Sequence, residues 1–247
     1  MDEIKSLRLD LLLVKRGHFP SRAKAQEAIK AGRVKINGKT CVKSGQSVPD
    51  CVILDVAQGA IEAVGRGSAK LTRTLEFFKL DVRGKVCLDV GASTGGFTQV
   101  LLEAGARRVF ALDVGRGQLA EPLRSDPRVL NLEGRNFRYF DPAGLPEPPG
   151  FACADVSFIS LKLILPKLAE VLPKDTEAVC LVKPQFEAGR EALNKHGVVK
   201  DPKAHARVLE EVAEAARGCG FEVLGSCESP ILGGDGNREF LMYLTRM

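Results

Sequence analysis

Four ionisable residues, far apart in the chain, are placed where side chains could work on a hydroxyl group. Asp155 follows the apolar run Phe151-Ala-Cys-Ala154, and Lys183 follows Cys180-Leu-Val182, with Pro184 stopping that run at once. Glu239 opens the run Phe240-Leu-Met-Tyr-Leu244, and Lys70 falls in the first turn of a helix predicted from Ser68. Amines and carboxylates brought together can orient a weakly acidic hydroxyl and remove its proton, provided one amine is neutral. Each has a plainer reading when taken alone. Lys183 would be a strand-end lysine reaching for solvent, Lys70 a solvated helix residue, and Glu239 a surface carboxylate.

A second group lies in Val86-Cys-Leu-Asp-Val-Gly-Ala-Ser-Thr-Gly-Gly-Phe97. A short apolar strand ends in Asp89, a loop of small residues follows, and a helix opens near Phe97. This is the form of a strand-to-helix turn beneath a bound nucleoside. The glycines at 91, 95 and 96 do not follow the G-x-G-x-x-G spacing of dinucleotide binders. A carboxylate in the mouth of the loop repels a pyrophosphate but tolerates an ammonium and a sulfonium, which points to S-adenosylmethionine. The expected cofactor contacts are Asp89, Gly91, Ser93, Thr94, Gly95, Gly96 and Phe97, with Asp155 nearby. Asp113, 24 positions after Asp89, is spaced to hold the ribose hydroxyls. Asn136 follows the next strand, where the adenine edge would sit. A tight turn that merely packs a helix on a sheet, and an Asp113 that caps a helix, are the plainer alternatives.

These residues need strands to carry them. Apolar runs predict strands over residues 86–90, 108–113, 129–133, 151–156, 177–182, 221–227 and 239–245, with helices over 97–104, 118–124, 161–171 and 202–217 between them. Alternation of this kind predicts an α/β domain with a mostly parallel sheet, closed at one edge by an antiparallel pair. Residues 142–150 read as a surface loop, and residues 184–201 as a substrate-facing lid carrying Lys195 and Lys200.

The first quarter of the chain differs in charge. Residues 1–66 hold 12 Lys and Arg against 7 Asp and Glu, whereas residues 67–247 hold 24 against 24. A basic small domain beside a neutral larger one predicts a polyanion-binding module attached to a separate chemical site; a solvated basic face without a partner is the alternative. Leu9, Leu12 and Leu13 share a helical face that Gly17 ends. Ser21 is placed to cap a second helix to Ala31, and Asn37-Gly38 between β-branched runs predicts a hairpin. Residues 52–54 read as a further short strand, and residues 57–67 as small and glycine-containing, hence a linker. The candidate phosphate contacts are Arg8, Arg22, Lys24, Lys30, Arg33 and Lys35.

Several function classes recede. The apolar runs are far shorter than the ~20 residues of a membrane span, and no apolar signal segment follows the first residues. Seven scattered cysteines with no C-x-x-C spacing argue against zinc or a disulfide framework and for a reducing, cytoplasmic setting. No acidic or histidine cluster suggests a metal, His196 included. Cys153 precedes Asp155 and is expected to point into the sheet, so it is poorly placed as a nucleophile.

The helix–helix–hairpin order of residues 7–55 resembles the alpha-L RNA-binding domain of small-subunit ribosomal protein four. The set Lys70, Asp155, Lys183 and Glu239 resembles the Lys-Asp-Lys-Glu tetrad of FtsJ-like ribose 2′-O-methyltransferases. With the motifs Asp89-Val-Gly-Ala-Ser-Thr-Gly-Gly-Phe97, Asp155-Val-Ser-Phe-Ile-Ser160, Val182-Lys-Pro-Gln-Phe-Glu187 and Gly233-Gly-Asp-Gly-Asn-Arg-Glu239, nearly the whole chain resembles the TlyA family of rRNA methyltransferases, also labelled hemolysin-like. The resemblance implies a seven-stranded Rossmann-like sheet and a small N-terminal α+β domain. Their expected extents are 1–60 for the RNA-binding domain, 61–67 for the linker and 68–247 for the S-adenosylmethionine-dependent domain. It also implies ribosomal RNA within ribosomal subunits as partner and cytidine as the base, while the residues themselves point to no membrane and no metal. On this reading Lys183 takes or steers the 2′ proton, Lys70 disfavours its charged form, the carboxylates favour it, and Asp155 and Glu239 fix the amines. A non-catalytic RNA-binding assembly factor and a membrane-active hemolysin are the competing functions.

Overall fold

The computed structural model describes residues 6–16, 18–19, 22–30, 32, 34–56, 67–234 and 236–247. The chain divides into two compact units, Met1–Glu62 and Ala63–Met247.

In the first unit, β1 (Ser6–Arg8) leads into α1 (Leu9–Lys15), followed by α2 (Arg22–Lys30), β2 (Val34–Ile36), β3 (Lys39–Cys41), β4 (Ser47–Pro49) and β5 (Leu54–Val56). Leu9, Leu12 and Leu13 on α1 meet Ala25, Ala28 and Ile29 on α2, all fully buried, so helical spacing in each helix builds the unit's core. β2 pairs antiparallel with β3 and with β5. Asn37 and Gly38 join β2 to β3 at φ of 49° and 80°, the two left-handed residues that a tight hairpin turn requires. The last strand lies at 54–56 rather than at 52–54. Gly17, Ser21, Ala31, Arg33 and residues 57–66 lie outside the described residues, as does the side chain of Lys24.

The second unit opens with α3 (Ser68–Phe78), then β6 (Val86–Val90), α4 (Gly96–Glu103), β7 (Arg108–Asp113), α5 (Glu121–Arg124), β8 (Val129–Glu133), β9 (Phe151–Ala154), α6 (Leu165–Val171), β10 (Glu177–Val182), α7 (Pro184–Glu187), α8 (Pro202–Gly218), β11 (Phe221–Glu228) and β12 (Phe240–Arg246). The strands form one seven-stranded sheet in the order β11-β12-β10-β9-β6-β7-β8. β12 is antiparallel to both neighbours, and the other pairs are parallel. α5 is shorter than residues 118–124 predict, because the Glu133 carboxylate takes the N–H groups of Gln118 and Leu119 before the helix begins.

Strand alternation divides the core in two. Leu88, Phe110, Ala152 and Cys180 face α6 and α8. Cys87, Val109, Phe151, Cys153, Val179, Leu181 and Leu241 face α3 and α4. The same parity puts Asp89, Asp155, Lys183 and Glu239 on the α3 side. The order reverses between β6 and β9, so a crevice opens there at the carboxyl ends of the strands, where ligands bind in such sheets.

Candidate active site

Lys70 lies on the face of α3 that carries Leu71, Thr74 and Leu75 into the core, and its side chain is buried with them. Its Nζ stands 2.7 Å from Glu239 Oε2 and 3.7 Å from Asp155 Oδ2. The other oxygen of Asp155 lies 2.6 Å from Lys183 Nζ, which also donates to the Ser157 hydroxyl at 2.7 Å. Glu239 reaches this place because β12 runs antiparallel to β10. Val182 pairs with Phe240, and one further step sets Lys183 across from Glu239. The structure therefore brings the four residues into one chain of alternating charge, Glu239–Lys70–Asp155–Lys183. Alternation offsets the heavy penalty of burying ions. Ser157 is the member that sequence reasoning missed, although it stands two residues after Asp155 in a loop already singled out.

Beside this chain, a cavity of about 460 Å³ is lined by Gly91, Ser93, Asp113, Asn136, Asp155 and Ser157, among others. That volume falls in the ordinary range of small-molecule pockets. A smaller cavity of about 240 Å³ shares Gly91, Ser93, Asp155 and Ser157 with it, and adds Thr94, Gly96, Phe97 and Lys183. Gly91 has φ +85°, and a Cβ there would stand 2.4 Å from the Asp155 carbonyl oxygen. The loop from β6 thus lies against the start of the loop from β9 as no side chain would permit. This glycine cradle and its flanking carboxylates fit a nucleoside that bears positive charge and lacks phosphate.

The expected cofactor residues are not all in the lining. Gly95 lines neither cavity. It packs against α5, where a Cβ would meet Leu123 Cδ1 at 2.2 Å. Asp89 is wholly buried behind the loop and not in its mouth, because strand parity turns it under α4. There it accepts the Thr98 hydroxyl at 2.6 Å and the Cys153 thiol at 3.6 Å. Burial pushes its carboxyl up to about 7, against the pull of Thr98. Asp113 accepts the N–H of Ser93 at 2.8 Å and of Gly115 at 2.7 Å. No helix starts beside it, so it clamps the loop to the end of β7 and keeps lone pairs for further donors. The Asn136 side-chain oxygen accepts the Arg138 N–H.

Phe158 is 92% exposed and holds φ +63°, with its ring centroid 5.3 Å from that of Phe186. A non-glycine residue held in that region beside a site is strained for a reason. Within residues 184–201, the segment expected as a lid, Gly197 and Val199 are pinned. Asn237, fully buried, accepts the Val199 N–H at 3.0 Å and donates to the Gly197 carbonyl at 3.1 Å. Lys195 and Lys200 are exposed there. Burial pushes the Cys153 thiol well above its ordinary range, which removes it as a nucleophile.

In the first unit, Arg8 and Arg22 are about half exposed, and both reach the wholly buried Asp10 carboxylate, at 2.9 and 3.3 Å. Gln26 donates to the same carboxylate at 2.7 Å. Lys30 and Lys35 are exposed. Among the described residues no cluster of His, Cys, Asp and Glu could hold a metal, and no helix is long and apolar enough to cross a membrane.

Comparison with known proteins agrees with this geometry. Residues 63–246 match the FtsJ-like methyltransferase family and residues 7–50 the S4 domain. YqxC of Bacillus subtilis is 47% identical over 97% of this chain and 86% of its own length. TlyA of Mycobacterium tuberculosis, a 16S/23S rRNA (cytidine-2′-O)-methyltransferase, is 45% identical over 96% of this chain and 89% of its own. A solved structure from Streptococcus thermophilus, described as a hemolysin, is 44% identical with a TM-score of 0.74, covering 99% of this chain and 90% of that one.

Proposed function

The chain belongs to the TlyA family of FtsJ-like methyltransferases, and we propose that it methylates the ribose 2′-hydroxyl of a cytidine in ribosomal RNA within ribosomal subunits, in the cytoplasm. Its donor is S-adenosylmethionine, which supplies an electrophilic methyl carbon on a sulfonium. The observation that carries the reading is the convergence of Lys70, Asp155, Lys183 and Glu239 beside a cavity of nucleoside size.

Asp113 would hold the ribose and Asn136 the adenine edge of that donor, while Gly91, Ser93, Thr94, Gly96 and Phe97 line the cavities that would receive it. Asp89 and Gly95 act one layer back, by holding the loop. Lys183, placed between Asp155 and Ser157, orients the acceptor oxygen and receives its proton when neutral. Asp155 fixes Lys183, and Glu239 fixes Lys70. Alignment of the acceptor accounts for much of the rate. Phe158 offers an exposed ring to the acceptor base. Residues 1–60 supply RNA affinity through Arg8, Arg22, Lys24, Lys30, Arg33 and Lys35, residues 61–67 link, and residues 68–247 hold the chemical site. A non-catalytic RNA-binding assembly factor would have no use for two lysines and two carboxylates, three of them buried, gathered beside a cavity.

The test is transfer of tritiated methyl from S-adenosylmethionine to purified ribosomal subunits. Resistance of one phosphodiester bond to alkali then locates the ribose. No incorporation, or alkali-sensitive product, overturns the reading.

A further inference from the structure

Two segments carry the reacting side chains, and a carboxylate outside both cavities joins them. The loop after β9 runs from Asp155 to Ser160, and the segment after β10 runs from Lys183 to Glu187. They meet at three levels. Lys183 meets Asp155 and Ser157 at the site itself. Phe158 meets Phe186 one step away. At the far end, Glu187 Oε2 accepts the Ser160 hydroxyl at 2.6 Å and Glu187 Oε1 accepts the Leu161 N–H at 2.7 Å. The Ser160 hydroxyl in turn accepts the Lys162 N–H at 3.1 Å, which starts the short helical turn Leu161–Leu163.

We propose that Glu187 is a positioning residue for methyl transfer: its two hydrogen bonds fix the separation of these segments and so hold Lys183 against Asp155 and Ser157. The inference rests on the reading of Lys183 and Asp155 as the groups that handle the acceptor. Its physical basis is the backbone between them. Phe158 is held in a left-handed conformation that its own exposed ring cannot secure, so the chain on either side must be tied. The ion pair ties one side, and Glu187 ties the other. Charge-assisted bonds to a partly buried carboxylate are the strong kind. Burial pushes the Glu187 carboxyl up, and the bonds from Ser160 and Leu161 oppose that push.

The test compares the full-length chain with Glu187→Ala, Glu187→Gln and Ser160→Ala, using S-adenosylmethionine and ribosomal subunits. Calorimetric titration with S-adenosylmethionine counts folded sites, so each kcat is expressed per binding-competent molecule. Glu187→Ala is expected to lower that kcat about tenfold or more, because small misplacements of reacting groups carry large rate penalties. Its affinity for S-adenosylmethionine should stay within about threefold. Glu187→Gln, whose amide can accept from Leu161 and donate to Ser160, is expected to restore most of the rate. Ser160→Ala is expected to show a smaller loss, and carries the test alone should Glu187→Ala not fold. A per-site kcat unchanged in both Glu187→Ala and Ser160→Ala overturns the inference, as does a Glu187→Gln loss as deep as that of Glu187→Ala. An inactive wild-type chain overturns the reading of the site, and this inference with it.

Discussion

Lys183 Nζ lies 2.6 Å from Asp155 Oδ1, while the other oxygen of the same carboxylate lies 3.7 Å from Lys70 Nζ. One carboxylate thus stands between two buried lysine side chains. Removing either amine therefore changes the surroundings of the other.

Lys183→Met removes the amine and keeps much of the side-chain volume. Methyl transfer to ribosomal subunits should fall about 100-fold or more, in line with the loss of a proton-handling group. Binding of S-adenosylmethionine, read by calorimetry, should persist.

The Lys70–Glu239 pair is buried on both sides. Glu239→Ala leaves Lys70 with the more distant Asp155, and unfolding in urea should show a loss of about 3–5 kcal/mol. The paired change Lys70→Met with Glu239→Leu should regain much of that stability while leaving the chain without activity.

Asp89 gives a pH signature. Its folded-state value of about 7 lies above that of an exposed aspartate. The folded state therefore binds the proton more tightly than the unfolded state does. The resulting stabilisation is full below the unfolded value and is lost as pH rises through about 7. Thermal midpoints should decline from pH 5 to about 7 and level off above it, and the decline should flatten in Asp89→Asn.

Glycine substitutions should separate close approach from backbone strain. Gly91→Ala would drive a Cβ into the Asp155 carbonyl, whereas Gly117, at φ +66°, has nothing within 4 Å. Gly117→Ala should cost about 1 kcal/mol through its backbone angle. Gly91→Ala should cost more and abolish S-adenosylmethionine binding, as heat release in titration would show.

In the first unit, Asp10→Asn should weaken RNA binding without touching RNA, since Arg8 and Arg22 lose their shared anchor. Arg8→Ala should reduce the slope of log affinity against log salt by about 1, the mark of one phosphate contact. Fluorescence anisotropy across a salt series reads both.

Much of this architecture was legible in the residues. Apolar runs of strand length, separated by helical patterns, define the sheet because burial on both faces permits little else. Asn37-Gly38 defines a hairpin because few residues accept two positive φ angles in succession. The small-residue loop after Asp89 marks a ligand turn because strand, loop and helix are local in sequence. Lys70, Asp155, Lys183 and Glu239 stand near element ends, but it is their resemblance to a known tetrad that groups them, since each alone reads as an ordinary residue.

Other features belong to the tertiary structure. The seating of Asp89 behind the loop depends on strand parity together with where α4 packs. Ser157, Glu187 and Asn237 reveal themselves through partners 26, 26 and 38 positions away. A hydrogen bond between distant segments leaves no periodic trace in a sequence, because its geometry is set by how whole elements dock. The sequence alone determines which elements form and which side chains stand at their ends. The distances among those side chains, and so the chemistry they can share, are decided only when the sheet reverses its order between β6 and β9 and α3 packs its lysine against that edge.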